Sequence, residues 1–280
     1  MKVCTIIIDI FDYDLYICEV IMLKLVLFNC LLLLVIAALL ILVKRIVKTE
    51  RGRRITLLAS AAVTILFHYS TAIFRSVSGN APFEYIADNP NLILPIYPCN
   101  VVMWACLILG LLRDKDSKLA QLLCDYVFYF GIFSTLVGMF ANVDFIMNPT
   151  LRDYDITKSI VAHATLLFNV LLLPLFGRIE IDFSKNMKHM VTSVIGMYLI
   201  GLYCNLVFRV LVSTEAAYDV NSMFIIHSPF EGVGFLTYPI IAIVALFLYF
   251  CLFTVCELVK YPKGERWFDK ALRLIKNKKG

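Results

Sequence analysis

Residues 20–43 read VIMLKLVLFNCLLLLVIAALLILV. A helix needs about 20 mostly apolar residues to cross the hydrocarbon of a bilayer, and this run is long enough. Six more segments of the same character follow: Ile55–Phe74, Leu92–Leu112, Leu119–Ala141, Thr157–Phe176, Met190–Val212 and Phe235–Leu258. The pattern predicts an all-α polytopic membrane protein, a bundle of about seven transmembrane helices. Its connections are short, so successive helices are expected to be antiparallel neighbours. The composition points the same way. The 280 residues are 61% hydrophobic and only 17% charged, against about 45–50% and about 25% in soluble domains.

The domain organisation expected from this pattern is simple. Residues 1–19 form a short extracytoplasmic segment, 20–258 the seven-helix domain, and 259–280 a basic cytoplasmic tail. Asp9, Asp12, Asp14 and Glu19 precede the first long apolar run, which does not fit the basic start of a secretory signal. No internal repeat or low-complexity tract is evident. Cys30, Cys106, Cys124, Cys204, Cys251 and Cys256 lie in apolar runs, where a thiol serves as a small hydrophobe. Cys4 and Cys18 lie outside them, and nothing suggests a disulfide framework. The net charge of +5 reads as a loop bias rather than a nucleic-acid footprint.

That bias sets an orientation. Loop one carries Lys44, Arg45, Lys48, Arg51, Arg53 and Arg54; loop three Arg113, Lys115 and Lys118; loop five Arg178, Lys185 and Lys188. The tail from Lys260 is also basic. The alternate loops hold one cation between them, Arg152. Basic loops stay cytoplasmic, so the N-terminus is expected outside and the C-terminus inside. The tail "KGERWFDKALRLIKNKKG" is expected to add an amphipathic helix at the inner surface, with Trp267, Phe268, Leu272 and Ile275 toward lipid.

Polar groups inside spans are costly and are functional hypotheses by default. At about 1.5 Å per residue, Cys99 and Asn100 on the third span, His163 on the fifth, His68 on the second and Asn205 on the sixth fall at one depth toward the outer face. Arg75 and Arg209 lie just above. No comparable layer is expected in the cytoplasmic half. Within the layer, Pro95 and Pro98 precede Cys99. Proline is tolerated in the first helical turn, where its missing N–H has no partner in any case. A helix starting there puts the thiol near the positive end of the helix dipole, which favours a reactive thiolate. A thiol and a histidine at one depth are the minimal nucleophile–base pair for acyl transfer. Asn100, Asn205, His68 or Arg209 would then serve as substrate-binding or oxyanion groups.

Each of these residues also has a plainer reading. Cys99 could pack like the other membrane thiols. His163, His68 and Asn205 could bridge helices by hydrogen bonds. The arginines could snorkel to headgroups. His189 reads as an interface residue, and His227 as a solvated loop histidine. A small-solute transporter or substrate-binding membrane module would also suit prolines and polar groups in spans, although repeats are lacking and Asp125 is the exceptional acidic residue within a span. A zinc set of His68, His163 and Cys99 is weak, because no two of these share a helix at ligand spacing. No cofactor is implied.

Several motifs occur in order. A cationic first inner loop is followed by Leu-Pro-Ile-Tyr-Pro-Cys-Asn opening the third span and an aromatic fourth span with Tyr126, Phe128, Tyr129 and Phe130 ending near Gly138. Pro149 lies in an outer loop, Val161-Ala162-His163 on the fifth span, Asn205 on the sixth, and Ser228-Pro229 before the last. From about residue 20 to 258 this resembles the YwaF family of bacterial membrane proteins, which are similar to eukaryotic transmembrane protein 164. The family pattern reads like Leu-Pro-Leu-His-Leu-Cys; here Tyr97 and Pro98 replace the histidine and leucine. The resemblance implies a bacterial plasma membrane protein and lipid acyl chemistry. The eukaryotic relative is regarded as an acyltransferase on ether phospholipids with an essential Cys and His, and the more distant androgen-induced-protein hydrolases cleave fatty-acid esters. By match of motif, Cys99 and His163 would inherit the paired roles, with a membrane lipid as substrate.

Overall fold

The computed structural model describes residues 2–79, 85–86, 89–142, 145, 148–211, 220–228, 234–235 and 237–277, without the side chains of 2–21, 211 and 276–277. Pro229 and the side chains of Cys4 and Cys18 thus lie outside the described residues. Among the described residues all regular structure is helical: α1 (Lys2–Ile46), α2 (Glu50–Val77), α3 (Pro98–Leu111), α4 (Lys118–Phe140), α5 (Tyr154–Leu175), α6 (Phe183–Leu211), α7 (Tyr238–Lys260) and α8 (Trp267–Asn277), with single 3-10 turns at Pro90–Leu92 and Ser222–Phe224.

The helix starts follow from local chemistry. A helix leaves its first N–H groups without partners, and a short polar side chain just before it can accept from them. Thr49 accepts from the Gly52 N–H at the start of α2, Ser117 from Ala120 at α4, and Asp153 from Asp155 and Ile156 at α5. Proline, already set to a helical φ, stands in the first turn of α3 and α7.

Among the described residues six helices are long and apolar enough to cross a membrane, including the Met22–Ile46 part of α1. The chain is a polytopic membrane bundle. The third expected span departs from the sequence reading. The apolar run covers Leu92–Leu112, but its helix is only Pro98–Leu111, 14 residues, or about 21 Å at about 1.5 Å per residue, against roughly 30 Å of hydrocarbon. Pro95 and Pro98 account for the difference: neither can donate to a carbonyl one turn back, and each disfavours a helical residue before it. The chain therefore comes in as a 3-10 turn and an irregular stretch, with Tyr97 extended at φ −116°, ψ 154°, and turns helical only at Pro98.

Helices α2, α3, α4 and α5 make the most extensive mutual contacts. Their shared core includes Leu57, Val102, Val127, Tyr129, Leu166 and Val170. Half of the apolar window of α4 and of α5 is buried, against 11% for α1 and for α7. The outer helices thus present most of their apolar surface to lipid, as expected where the surrounding solvent is hydrocarbon.

The tail helix forms as expected, but Trp267 does not face lipid. Its indole stacks on Phe183 at a ring distance of 5.3 Å and meets Phe250 edge-on at 4.9 Å. Its N–H groups bond to the end of α7. An indole carries an apolar body and one donor, and the partner for that donor lies in the bundle.

Candidate functional site

Two sets of contacts fix the relative depth of the helices. Thr64 on α2 donates to Thr165 on α5 at 3.1 Å, and Lys158 on α5 donates to Thr71 at 2.7 Å. In this antiparallel register His68 and His163 are two residues apart in level, about 3 Å. Gly131 on α4 lies against Val170 of α5 and Val102 of α3. Cys99 is three residues, and His163 seven residues, from that level toward the same end. Their axial offset is thus about 6 Å. The end concerned is the cation-poor end of the bundle.

Cys99 is the second residue of α3, and Asn100 the third. The thiol is half-buried against the core. The backbone amides of Cys99 and Asn100 lie beside it, as first-turn N–H groups do. Asn100 is 4% exposed, and its Oδ1 accepts from the Tyr97 N–H at 3.2 Å. The asparagine thereby fixes the turn that presents the thiol. Tyr126 of α4 completes the surroundings. Its hydroxyl donates to the Met197 sulfur at 3.0 Å and lies 3.4 Å from the Pro98 carbonyl. In the sequence Tyr126 stands out only as part of an aromatic span. Nothing local in the sequence marks it, because the contact arises from the crossing of α3 and α4.

His163 sits on α5 with its ring on α4. Its Nδ1 is 2.8 Å from the Ser159 carbonyl. A carbonyl only accepts, so Nδ1 carries the proton, and in the neutral ring Nε2 is left as the basic nitrogen. The Nε2–Cδ2 edge lies over Gly138, where a Cβ would come within 2.3 Å of Nε2. Next to it, Asn142 caps the end of α4, donating to Gly138 O and Ser159 Oγ and accepting from Phe145 N–H. His68 donates from Nε2 to the Asn91 carbonyl at 3.2 Å, and Tyr69 to Leu92 at 3.0 Å. Both hold the irregular lead into α3. His68 and His163 are within electrostatic reach of each other.

Of the other expected residues, Asn205 holds the loop over this site. Asn205 donates to the Ser222 carbonyl at 3.2 Å and accepts from its N–H at 2.8 Å. Ser222 Oγ and the Met223 N–H both donate to the Ile96 carbonyl, at 3.0 and 2.9 Å. The amide of Asn205 thus clamps the Ser222–Phe224 turn onto the residues just before α3. Met223 and Phe224 have φ of 54° and 55°. This left-handed region is unfavourable for side-chain-bearing residues, and such strain persists only where surroundings impose it. Arg209, one turn beyond Asn205, is exposed, as is His227, whose Nδ1 faces Asn221 at 3.1 Å.

One expectation is corrected. The cation-rich half does hold a buried polar cluster. Asp125 of α4 is 5% exposed, and its Oδ2 accepts from Asn186 at 2.8 Å and faces His189 Nδ1 at 2.6 Å. Nearby, the buried hydroxyls of Tyr129 and Tyr249 have no hydrogen-bond partner among the described residues. Asp125 and His189 are 64 residues apart in sequence, and each reads alone as a helix-end polar residue. Only the packing of α6 on α4 joins them. Among the described residues no group of three or more His, Cys, Asp or Glu side chains is placed to hold a metal ion.

The sequence matches the model of one protein family, the TMEM164 family, over residues 19–256. No curated protein and no solved structure matches the chain.

Proposed function

The chain belongs to the TMEM164 family, and on that footing we propose that it is an integral-membrane lipid acyltransferase or lipid hydrolase with Cys99 as nucleophile and His163 as base. The observation that carries the reading is the placement of Cys99. It is the second residue of a helix that begins inside the bundle, its first-turn amides beside the sulfur, at a level about 6 Å from His163.

In this reading Cys99 Sγ attacks the carbonyl carbon of a lipid ester. The thiol proton passes to His163 Nε2, which is the basic nitrogen because Nδ1 donates to Ser159. The tetrahedral oxyanion is met by the first-turn amides of α3. Its collapse breaks the ester C–O bond, and His163 returns the proton to the departing alkoxide. The resulting thioester is then resolved by water, which gives a hydrolase, or by a second lipid's hydroxyl, which gives a transferase. Tyr126 borders the thiol and shapes the site. Asn100 and Asn205 position the backbone, and His68 fixes the lead into α3. The site opens at the cation-poor end, which the loop bias puts outside the cytoplasm of a bacterial cell.

The experiment is labelling of the purified protein with an activated acyl-lipid probe, read by intact mass. Acylation that maps to Cys99 and is lost in Cys99→Ser supports the reading. Equal labelling of that variant contradicts it.

A second reading has one observation in its favour. A short helix with an irregular lead at membrane depth is also how small-solute sites are built. Saturable binding of a small polar solute that survives Cys99→Ala would favour that reading over catalysis.

A further inference from the structure

Helix α8 is fastened to the bundle at one end and leaves an apolar surface uncovered at the other. The Trp267 N–H donates to Glu257 Oε2 at 2.7 Å and its indole Nε1–H to Thr254 Oγ1 at 3.2 Å. The Gly264 N–H donates to Asp269 Oδ2 at 2.7 Å, and the Arg273 guanidinium donates to the Gly264 carbonyl. These bonds fix the direction in which α8 leaves α7. Beyond them, Leu272, Leu274 and Ile275 are 54%, 66% and 53% exposed. At 100° per residue they fall on one arc with Phe268 and Ala271, and Asp269, Lys270 and Arg273 fall on the opposite arc.

An exposed apolar arc next to a cationic one fits a membrane interface. Two observations select anionic lipid as the occupant. The first is charge: residues 260–280 hold eight Lys or Arg and two Asp or Glu, and α8 sits at the same end of the bundle as the basic loops that precede α2 and α6. The second is continuity. The last turn of α7 already presents Leu258 and Val259, 43% and 85% exposed, so the apolar surface of α8 continues that of a spanning helix.

We propose that α8 lies on the anionic phospholipid surface at the cation-rich end of the bundle, with Leu272 and Ile275 among the acyl chains and Lys270 among the headgroups. Trp267 is the hinge pin that sets this pose, and the lipid surface covers the outer half of the helix.

The test uses the full-length protein in nanodiscs of phosphatidylcholine alone and with about one quarter phosphatidylglycerol, at low and high salt. Amide hydrogen exchange of 267–277 is followed, and the α4 and α5 amides serve as an internal reference. Exchange in the second half of α8 should slow by about tenfold when phosphatidylglycerol is present, and the effect should fade at about 1 M salt, where screening lengths shrink to about 3 Å. Leu272→Glu with Ile275→Glu should remove the protection in either lipid. Lys270→Gln should weaken only its dependence on phosphatidylglycerol. Equal exchange in both lipid compositions overturns the proposal. So does equal protection in detergent, which would mean that protein, and not lipid, covers the helix.

Discussion

His163 occupies the space that a side chain on Gly138 would fill. A Cβ at Gly138 would meet ring Cδ2 at 2.1 Å and Nε2 at 2.3 Å, so the absence of a side chain on α4 is what allows the ring of α5 its position. Gly138→Ala is expected to push the imidazole off its bond to Ser159 and to lower acyl-probe labelling by about 10²-fold, the usual contribution of a positioned base. Labelling kinetics beside a thermal melt check this: a large loss of rate with a small shift in melting is the expected pattern.

Asn205 holds a loop. Asn205→Ala leaves the buried Ser222 N–H without its acceptor, which costs about 1–3 kcal/mol. Thermal unfolding in detergent should show the loss, and proteolysis between α6 and α7 should become faster. If Asn205 instead acted only on substrate, rate would fall with stability unchanged.

Pro98 presets the first turn of α3. Pro98→Ala widens the conformational choice of the unfolded chain and is expected to cost about 0.4–1 kcal/mol. It also lets the N–H of residue 98 seek a partner one turn back, so Cys99 is no longer held as the second residue of the helix. Alkylation of Cys99 by a lipid-soluble maleimide should change in rate while Cys124 and Cys106, buried in the core, remain slow. An unchanged Cys99 rate would mean that Asn100 alone defines the turn.

Asp125 ties α6 to α4. Asp125→Ala removes the acceptor shared by Asn186 and His189 and should destabilise the bundle by about 1–3 kcal/mol for each donor left buried. Asp125→Asn keeps one acceptor oxygen and should cost less. Comparison of the two melting shifts in detergent checks the ordering.

The seven apolar runs, the antiparallel order and the basic loops are visible in the sequence because bilayer thickness and backbone hydrogen bonding leave few alternatives to a helix of about 20 residues. The level of His68, Cys99 and His163, each along its own helix, is legible for the same reason, to within about 6 Å, because depth is counted in residues. Rotation about each axis is not. Only packing puts Tyr126 beside Cys99, turns the amide of Asn205 to Ser222, and joins Asp125 to His189. The short third helix was half legible. Pro95 and Pro98 announce a break, but where the helix resumes depends on the Asn100 bond to Tyr97 and on Ser222 and Met223 meeting the Ile96 carbonyl. By its type Trp267 belongs toward lipid, but Phe183, distant in sequence, and Glu257, on the helix just before it, hold it inward.

In the proposed mechanism Cys99 forms a thioester with a lipid acyl group while His163 moves its proton. The most direct measurement is single-turnover acylation of the purified protein by an activated acyl-lipid, with the site read by peptide mass, for the wild type, Cys99→Ser and His163→Ala. One acyl group per chain is expected on Cys99, none at that position in Cys99→Ser, and a rate at least about 10²-fold lower in His163→Ala. Acylation spread over several cysteines, at equal rates in wild type and His163→Ala, would contradict it.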